Sequence, residues 1–220
     1  LGNFFSRCLI RGTDFDTIDL SAVTSPVTVT YSGSETGTVT DGTGTITFSQ
    51  IERFILTDLA DTVDGSADSI GINIEARGGD DFVLGSTGND TLLGEDGNDT
   101  LSGEAGDDSI TGGAGDDFID GGDGNDNLNG GTGNDVFIGG DGTDTFVYAP
   151  GDGNDTITDF NVGNTGTLDD GNSANNDFID LSAFYGNIRE LHADQADDGI
   201  LNQSNDGVDG VDYSDRSSFG

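Results

Sequence analysis

The sequence predicts an all-β protein whose centre is a parallel β-solenoid of nonapeptides, with a β-rich cap before it and an irregular segment after it. Three observations predict this. A phrase rich in glycine and aspartate recurs every nine residues through the middle of the chain. Each copy carries one apolar residue at a fixed place. The residues before the repeats are short runs of Thr, Val and Ile broken by Gly and Asp, which is the pattern of strands and not of helices. The chain divides accordingly into a capping region over 1–75, a solenoid over 76–160 and a closing segment over 161–220.

In the cap, "DFDTIDLSAV", "PVTVTYS", "GTVTDGTGTITF" and "IERFILTDLA" each read as strand, and "TDGTG" reads as a hairpin turn. A cap is needed because the open edge of a first coil would otherwise invite aggregation. Nearer the repeats, "DTVD" at 61–64 is a degenerate copy of the motif, and "IGINIEA" alternates like a strand.

The repeat itself runs from Ala76 to Val147 as "ARGGDDFVL", "GSTGNDTLL", "GEDGNDTLS", "GEAGDDSIT", "GGAGDDFID", "GGDGNDNLN", "GGTGNDVFI" and "GGDGTDTFV". Position four is always Gly, position six always Asp, and position eight always apolar. Only the first unit departs from Gly at position one, with Ala76. Glycine tolerates positive φ, so the first six positions suit a turn. The last three suit a short strand whose middle side chain points inward. Two units then make one coil of 18 residues, and successive coils stack at about 4.8 Å, the usual strand spacing. Alternate units therefore lie above one another. One side stacks Asp81, Asp99, Asp117 and Asp135, and the other stacks Asp90, Asp108, Asp126 and Asp144. "PGDGNDTIT" at 150–158 is a further unit after a two-residue insertion, which puts Asp155 beyond Asp135. "NDFID" puts Asp177 beyond Asp144, and "DTVD" puts Asp61 before Asp81.

Such a chain needs a partner. One inward apolar side chain per nine residues does not offset the entropy of ordering all nine. Stacked aspartates add mutual repulsion. A hard divalent cation in each turn converts that repulsion into ligation. The repeats offer oxygen and contain no His or Cys, which selects Ca²⁺ over zinc or copper.

The tandem G-G-x-G-x-D-x-U-x units resemble the RTX calcium-binding family, whose fold is a parallel β-roll. The resemblance implies an ion between each turn and the next turn on the same side. Carboxylate oxygen would come from the position-six aspartates. Backbone carbonyls would come from the turn glycines, here Gly88, Gly97, Gly106, Gly113, Gly115, Gly122, Gly124, Gly131, Gly133, Gly140 and Gly142. Position five is not expected to carry the chemistry. The eight units give six neighbouring same-side pairs, and Asp61, Asp155 and Asp177 add up to three, so six to nine Ca²⁺ ions are expected. "GDGNDTITDF" and "DFIDLSAF" are similar to the closing segment of such rolls, although the insertion at 163–175 departs from the compact form. The arrangement also resembles large secreted bacterial RTX proteins in which the roll precedes a self-processing Hint domain. No Hint motif occurs here, and the chain, which begins at Leu1, reads as a piece of something larger. The family implies type I secretion and an extracellular or cell-surface location.

Composition excludes several functions. The chain carries 43 acidic residues against six arginines and no lysine, a net charge of −37, so a nucleic acid or anionic membrane is not an expected partner. No run reaches the length of a membrane span. Cys8 is the only cysteine, so no internal disulfide forms. His192 is the only histidine and sits in a polar segment, near a short helix expected at 188–198. No phosphate loop, nucleophile elbow or metalloprotease helix is present, and no enzymatic activity is expected. The leading expectation is a structural module of a surface layer, filament, adhesin or matrix protein. The alternative is an accessory roll of a secreted protease or polysaccharide epimerase. Ice binding by turn threonines is weaker, because Asp96, Ala114 and Asp123 interrupt Thr87 and Thr132. Positions seven and nine should face outward, which puts Phe82, Leu84, Phe118, Val136 and Ile138 on one sheet as a surface for self-assembly or another partner.

Overall fold

The structure, a computed structural model, describes residues 16–160 and 177–180. These residues form strands and turns and no helix. Cys8, His192, the expected helix at 188–198 and the insertion at 163–175 lie outside them. No helix among the described residues is long and apolar enough to cross a membrane.

Two sheets face each other. The eight-stranded sheet stacks Thr17–Asp19, Arg53–Ile55, Asn73–Glu75, Thr91–Asp96, Ser109–Ala114, Asn127–Thr132, Thr145–Val147 and Phe178–Asp180, all parallel. The nine-stranded sheet stacks Thr156–Ile157, Val136–Asp141, Phe118–Asp123, Thr100–Ser102, Phe82–Leu84, Thr62–Asp64 and Thr28–Gly33 in parallel. It then continues antiparallel into Thr36–Thr40 and Thr45–Ser49. The chain alternates between the sheets, so the protein is a parallel β-roll. Its coils begin upstream of Ala76, with Ile18 paired to Phe54 and Phe54 to Ile74.

Position eight points inward throughout. Leu92, Leu101, Ile110, Ile119 and Leu128 are fully buried, and Val83, Phe137 and Phe146 nearly so. They continue the column begun by Val29, Phe54, Val63 and Ile74, which makes one core of the cap and the repeats. Aromatic rings close this column at both ends. Tyr31, Phe48 and Phe54 meet edge to face with centroids 4.9–6.0 Å apart, and Phe146 contacts Phe137 and Phe160 at 5.7 and 6.0 Å. The interior between them is narrow enough for aliphatic side chains to fill.

Within residues 16–75 the hairpin turn lies at Asp41, whose Oδ1 accepts from the Thr43 and Gly44 N–H groups at 2.8 Å each. The repeats differ from expectation in one respect. In the central units the strand runs six residues and not three, taking in positions one to three of the next unit, as in Ser109–Ala114. The pairing Gly113↔Gly131 shows why: the backbones of consecutive coils approach closely enough at position two to continue the ladder.

Candidate metal centre

Each turn delivers its position-six aspartate to the edge of the core, because position eight, two residues on, is fixed inward by the apolar column. Both columns expected from the spacing are present. On one side the backbone N–H of Asp61 donates to Asp81 Oδ1 at 2.6 Å, and those of Asp81, Asp99, Asp117 and Asp135 donate in turn to Asp99, Asp117, Asp135 and Asp155 at 2.8–3.0 Å. On the other side the N–H groups of Ile72, Asp90, Asp108, Asp126 and Asp144 donate to Asp90, Asp108, Asp126, Asp144 and Asp177 at 2.6–3.2 Å. Every carboxylate thus reaches back to the coil before it with one oxygen.

The second oxygen is different. Oδ2 of Asp81, Asp99, Asp108, Asp117, Asp126, Asp135 and Asp144 is buried and accepts no hydrogen bond. Buried carboxylate oxygens are costly to leave unpaired. From Asp99 to Asp144, each lies over the position-one glycine of its own turn. A Cβ added at Gly94, Gly103 or Gly112 would stand 2.1–2.2 Å from the Oδ2 of Asp99, Asp108 or Asp117. From the same points, the carbonyl oxygens of Gly112, Gly121 and Gly130, one coil on, are 2.5–2.7 Å away. Carboxylate and carbonyl oxygens therefore face one small space between consecutive coils, and no donor enters it. That donor set fits a hard cation. Among the described residues no three acidic, His or Cys side chains converge, so the remaining ligands must be backbone carbonyls.

The electrostatics agree. Burial pushes the Asp81 carboxyl up to about 8, against the lowering effect of the Asp61 N–H, and the neighbouring Asp99 adds to the rise. Burial likewise raises Asp108, Asp117 and Asp126 to about 7 and Asp144 to about 6. Without a cation Asp81 stays mostly protonated at neutral pH, and Asp108, Asp117 and Asp126 are partly protonated there.

The turn glycines hold the backbone in place for this. At position four, Gly97 has φ of +144°, and a Cβ there would meet Gly79 O at 1.9 Å. Gly106, Gly115, Gly124, Gly133 and Gly142 share the left-handed φ, and Gly88 does not. At position two, Gly113, Gly122, Gly131 and Gly140 are left-handed, as are Arg77, Glu95 and Glu104 in the earlier units. Two turns stand apart. Asp61 Oδ2 accepts the Thr57 N–H at 2.8 Å, and Asp90 Oδ2 accepts the Ser86 N–H at 2.6 Å.

Three features escape a reading of the sequence. The position-one glycines Gly85, Gly94, Gly103, Gly112, Gly121, Gly130 and Gly139 form the seat for the carboxylates, and their near-invariance in the repeat was the available signal. Asp16 and Glu52 extend the column upstream, since Asp16 N–H donates to Glu52 Oε2 at 2.6 Å; the signal was "DTID" at 16–19, a copy of D-x-U-x. Position five stays outside the oxygen-lined space, yet it builds a second ladder running the opposite way. Asp80, Asn98 and Asp116 accept from the backbone N–H of Asn98, Asp116 and Asn134, one coil on, at 2.7–2.9 Å.

A family model for the RTX calcium-binding nonapeptide repeat matches residues 75–110, 93–128 and 120–157. The repeats belong to the RTX calcium-binding family. A search among curated proteins finds no match for the chain. RTX repeats bind Ca²⁺, and in this roll the residues present fit that ion, with unpaired Oδ2 atoms and carbonyls converging between coils. The match covers the coils of Asp81 to Asp144, which hold seven unpaired oxygens, and leaves the first coils, with Asp16, Thr57 and Asp61, outside.

Proposed function

We propose that the chain is an extracellular structural module that folds as Ca²⁺ enters its turns, part of a secreted bacterial surface layer, filament, adhesin or matrix protein. Seven buried carboxylate oxygens in the repeats, from Asp81 to Asp144, have no hydrogen-bond partner and carry this reading. They make the repeats unstable without a cation and stable with one. When bound, Ca²⁺ supplies charge neutralisation and crosslinking between coils. The chain supplies the oxygens, the glycine seat that admits them and the apolar column that holds consecutive turns in register. Cytosolic free calcium is too low to fill the turns, so folding would follow export.

Hydrogen exchange tests this. In chelator at neutral pH, the amides of residues 91–147 should exchange as in an unfolded chain, and millimolar Ca²⁺ should protect them. Full protection of that segment in chelator would remove the case for calcium-driven folding.

The assembly surface belongs to the same reading. Phe82 and Phe118 are 48% and 38% exposed on the outer face of the nine-stranded sheet, with Leu84, Val136 and Ile138 half-buried beside them. Thr100 lies between the two rings in the register, so the apolar surface is two patches and not one stripe. A second copy of the chain is the expected occupant. Sedimentation of the calcium-loaded protein should show an oligomer that Phe118→Ser weakens. A monomer at all concentrations would remove this part.

A further inference from the structure

Two position-six aspartates are satisfied without any ion, and in the same way. In the turn 56–61, Thr57 N–H donates to Asp61 Oδ2 at 2.8 Å, Thr57 Oγ1 donates to Asp61 Oδ1 at 3.1 Å, and Leu59 N–H donates to Thr57 Oγ1 at 3.1 Å. In the turn 85–90, Ser86 N–H donates to Asp90 Oδ2 at 2.6 Å, Ser86 Oγ donates to Asp90 Oδ1 at 2.9 Å, and Gly88 N–H donates to Ser86 Oγ at 3.0 Å. Thr57 and Ser86 are completely buried. Both occupy position two, and neither has the left-handed φ found at Arg77, Glu95, Glu104 and the glycines that fill this position elsewhere. The backbone conformation explains the difference. With ordinary φ the position-two N–H turns into the carboxylate, and the hydroxyl follows it. With left-handed φ the Oδ2 is left bare.

The placement is also regular. Asp61 follows Val27 in its column, and Asp90 follows Ile72, both apolar. Each uninterrupted run of aspartates therefore begins with a closed carboxylate, and every later one through Asp144 is open.

We propose that the residue at position two decides which turns of the two aspartate runs take calcium: Thr57 and Ser86 latch the first turn of each run shut, and ions enter only the gaps of these runs headed by an open carboxylate. Nine same-side pairs run from Asp61 to Asp155 and from Asp90 to Asp177. Two are headed by latched residues, Asp61–Asp81 and Asp90–Asp108. Seven remain, matching the seven bare oxygens of these two runs; an eighth bare carboxylate oxygen, Asp16 Oδ2, lies upstream of both. A hydroxyl and an amide thus do at the head of each run what an ion does further along, and the turns at Asp61 and Asp90 do not wait for calcium.

The inference rests on the repeats binding calcium, and the experiment separates the two. Native mass spectrometry of the calcium-saturated chain should count seven ions. Ser86→Gly should take the left-handed φ, free Asp90 Oδ2 and raise the count to eight, whereas Ser86→Thr should keep seven. A wild-type count of nine, or an unchanged count in Ser86→Gly, overturns the latch and leaves the calcium-binding function standing. A wild-type count of zero overturns the function itself. Should Ser86→Gly fail to fold, anomalous scattering from Ca²⁺ in crystals of the wild-type chain decides the matter. Peaks in the seven open gaps and none beside Asp61 or Asp90 support the latch, and a peak beside either residue overturns it.

Discussion

At the scale of single residues, position one and position six act as a pair. Gly112 leaves room for Asp117 Oδ2, and a methyl group there would lie 2.1 Å from that oxygen. Gly112→Ala should therefore push the carboxylate out of its seat and weaken calcium binding by roughly tenfold or more, equivalent to about 1.4 kcal/mol. Calcium titration followed by circular dichroism would measure the shift. Aspartates of the two kinds should also respond differently to removal. Asp61→Ala leaves the Val27 and Thr57 N–H groups buried and unpaired, costing about 1–3 kcal/mol each way the fold is measured, with or without calcium. Asp117→Ala removes an ion ligand as well as the acceptor for the Asp99 N–H. Its cost should grow with calcium concentration. Melting curves across a calcium series distinguish them, and identical calcium dependence for both would contradict the assignment.

At the scale of the turn columns, the raised carboxyls set the pH dependence. The folded pKa values of Asp81, Asp117 and Asp144, about 8, 7 and 6, exceed the ordinary carboxylate value of about 3.9. Protons therefore bind the folded roll more tightly than the unfolded chain. Their support is full below about pH 4 and is lost as pH rises through the range of about 6 to 8. Without calcium, β structure should accordingly be greatest in mild acid and fade toward neutral pH. With calcium the trend should reverse, because protons compete for the same oxygens. Circular dichroism between pH 4 and pH 8, with and without chelator, should show opposite slopes; parallel slopes would refute the link. The outer ladder at position five avoids this problem by composition. Asp116 lies between Asn98 and Asn134, and Asn134 Nδ2 donates to Asp116 Oδ1 at 3.1 Å. Asn134→Asp would place carboxylates on consecutive coils at an exposed surface. It should cost roughly 0.5–1 kcal/mol at low salt and less at high salt, read as a fall in melting temperature that salt partly restores.

At the scale of the molecule, the same apolar column runs through parts of unequal dependence on calcium. The cap adds an antiparallel meander and the Tyr31, Phe48 and Phe54 rings to its share of the column. The central repeats add only one aliphatic side chain per nine residues and the bare carboxylates. Chelation should therefore melt the roll from its closing end, leaving residues 27–75 the last to lose protection. Limited proteolysis in chelator should yield a resistant N-terminal fragment. Cleavage within the meander before the repeats would show that the cap has no stability of its own.

Much of this was legible in the sequence. A strict period of nine with one apolar residue per unit fixes the inward side chain and the 18-residue coil, because strand geometry and spacing leave no other way to bury position eight. Aspartate at constant phase then stacks on itself, and acidic oxygens without His or Cys select calcium. Asp155 and Asp177 lie where the register puts them, each bonded to the coil before it. What only the tertiary structure decided depends on atoms one coil away. Glycine at position one reads as a turn residue until the Asp oxygen of its own unit and the carbonyl of the next coil are seen against it. Asp61 and Asp90 look like any other copy in sequence. Their carboxylates are closed by the sign of one φ angle and the hydroxyl beside it, and periodicity reports neither.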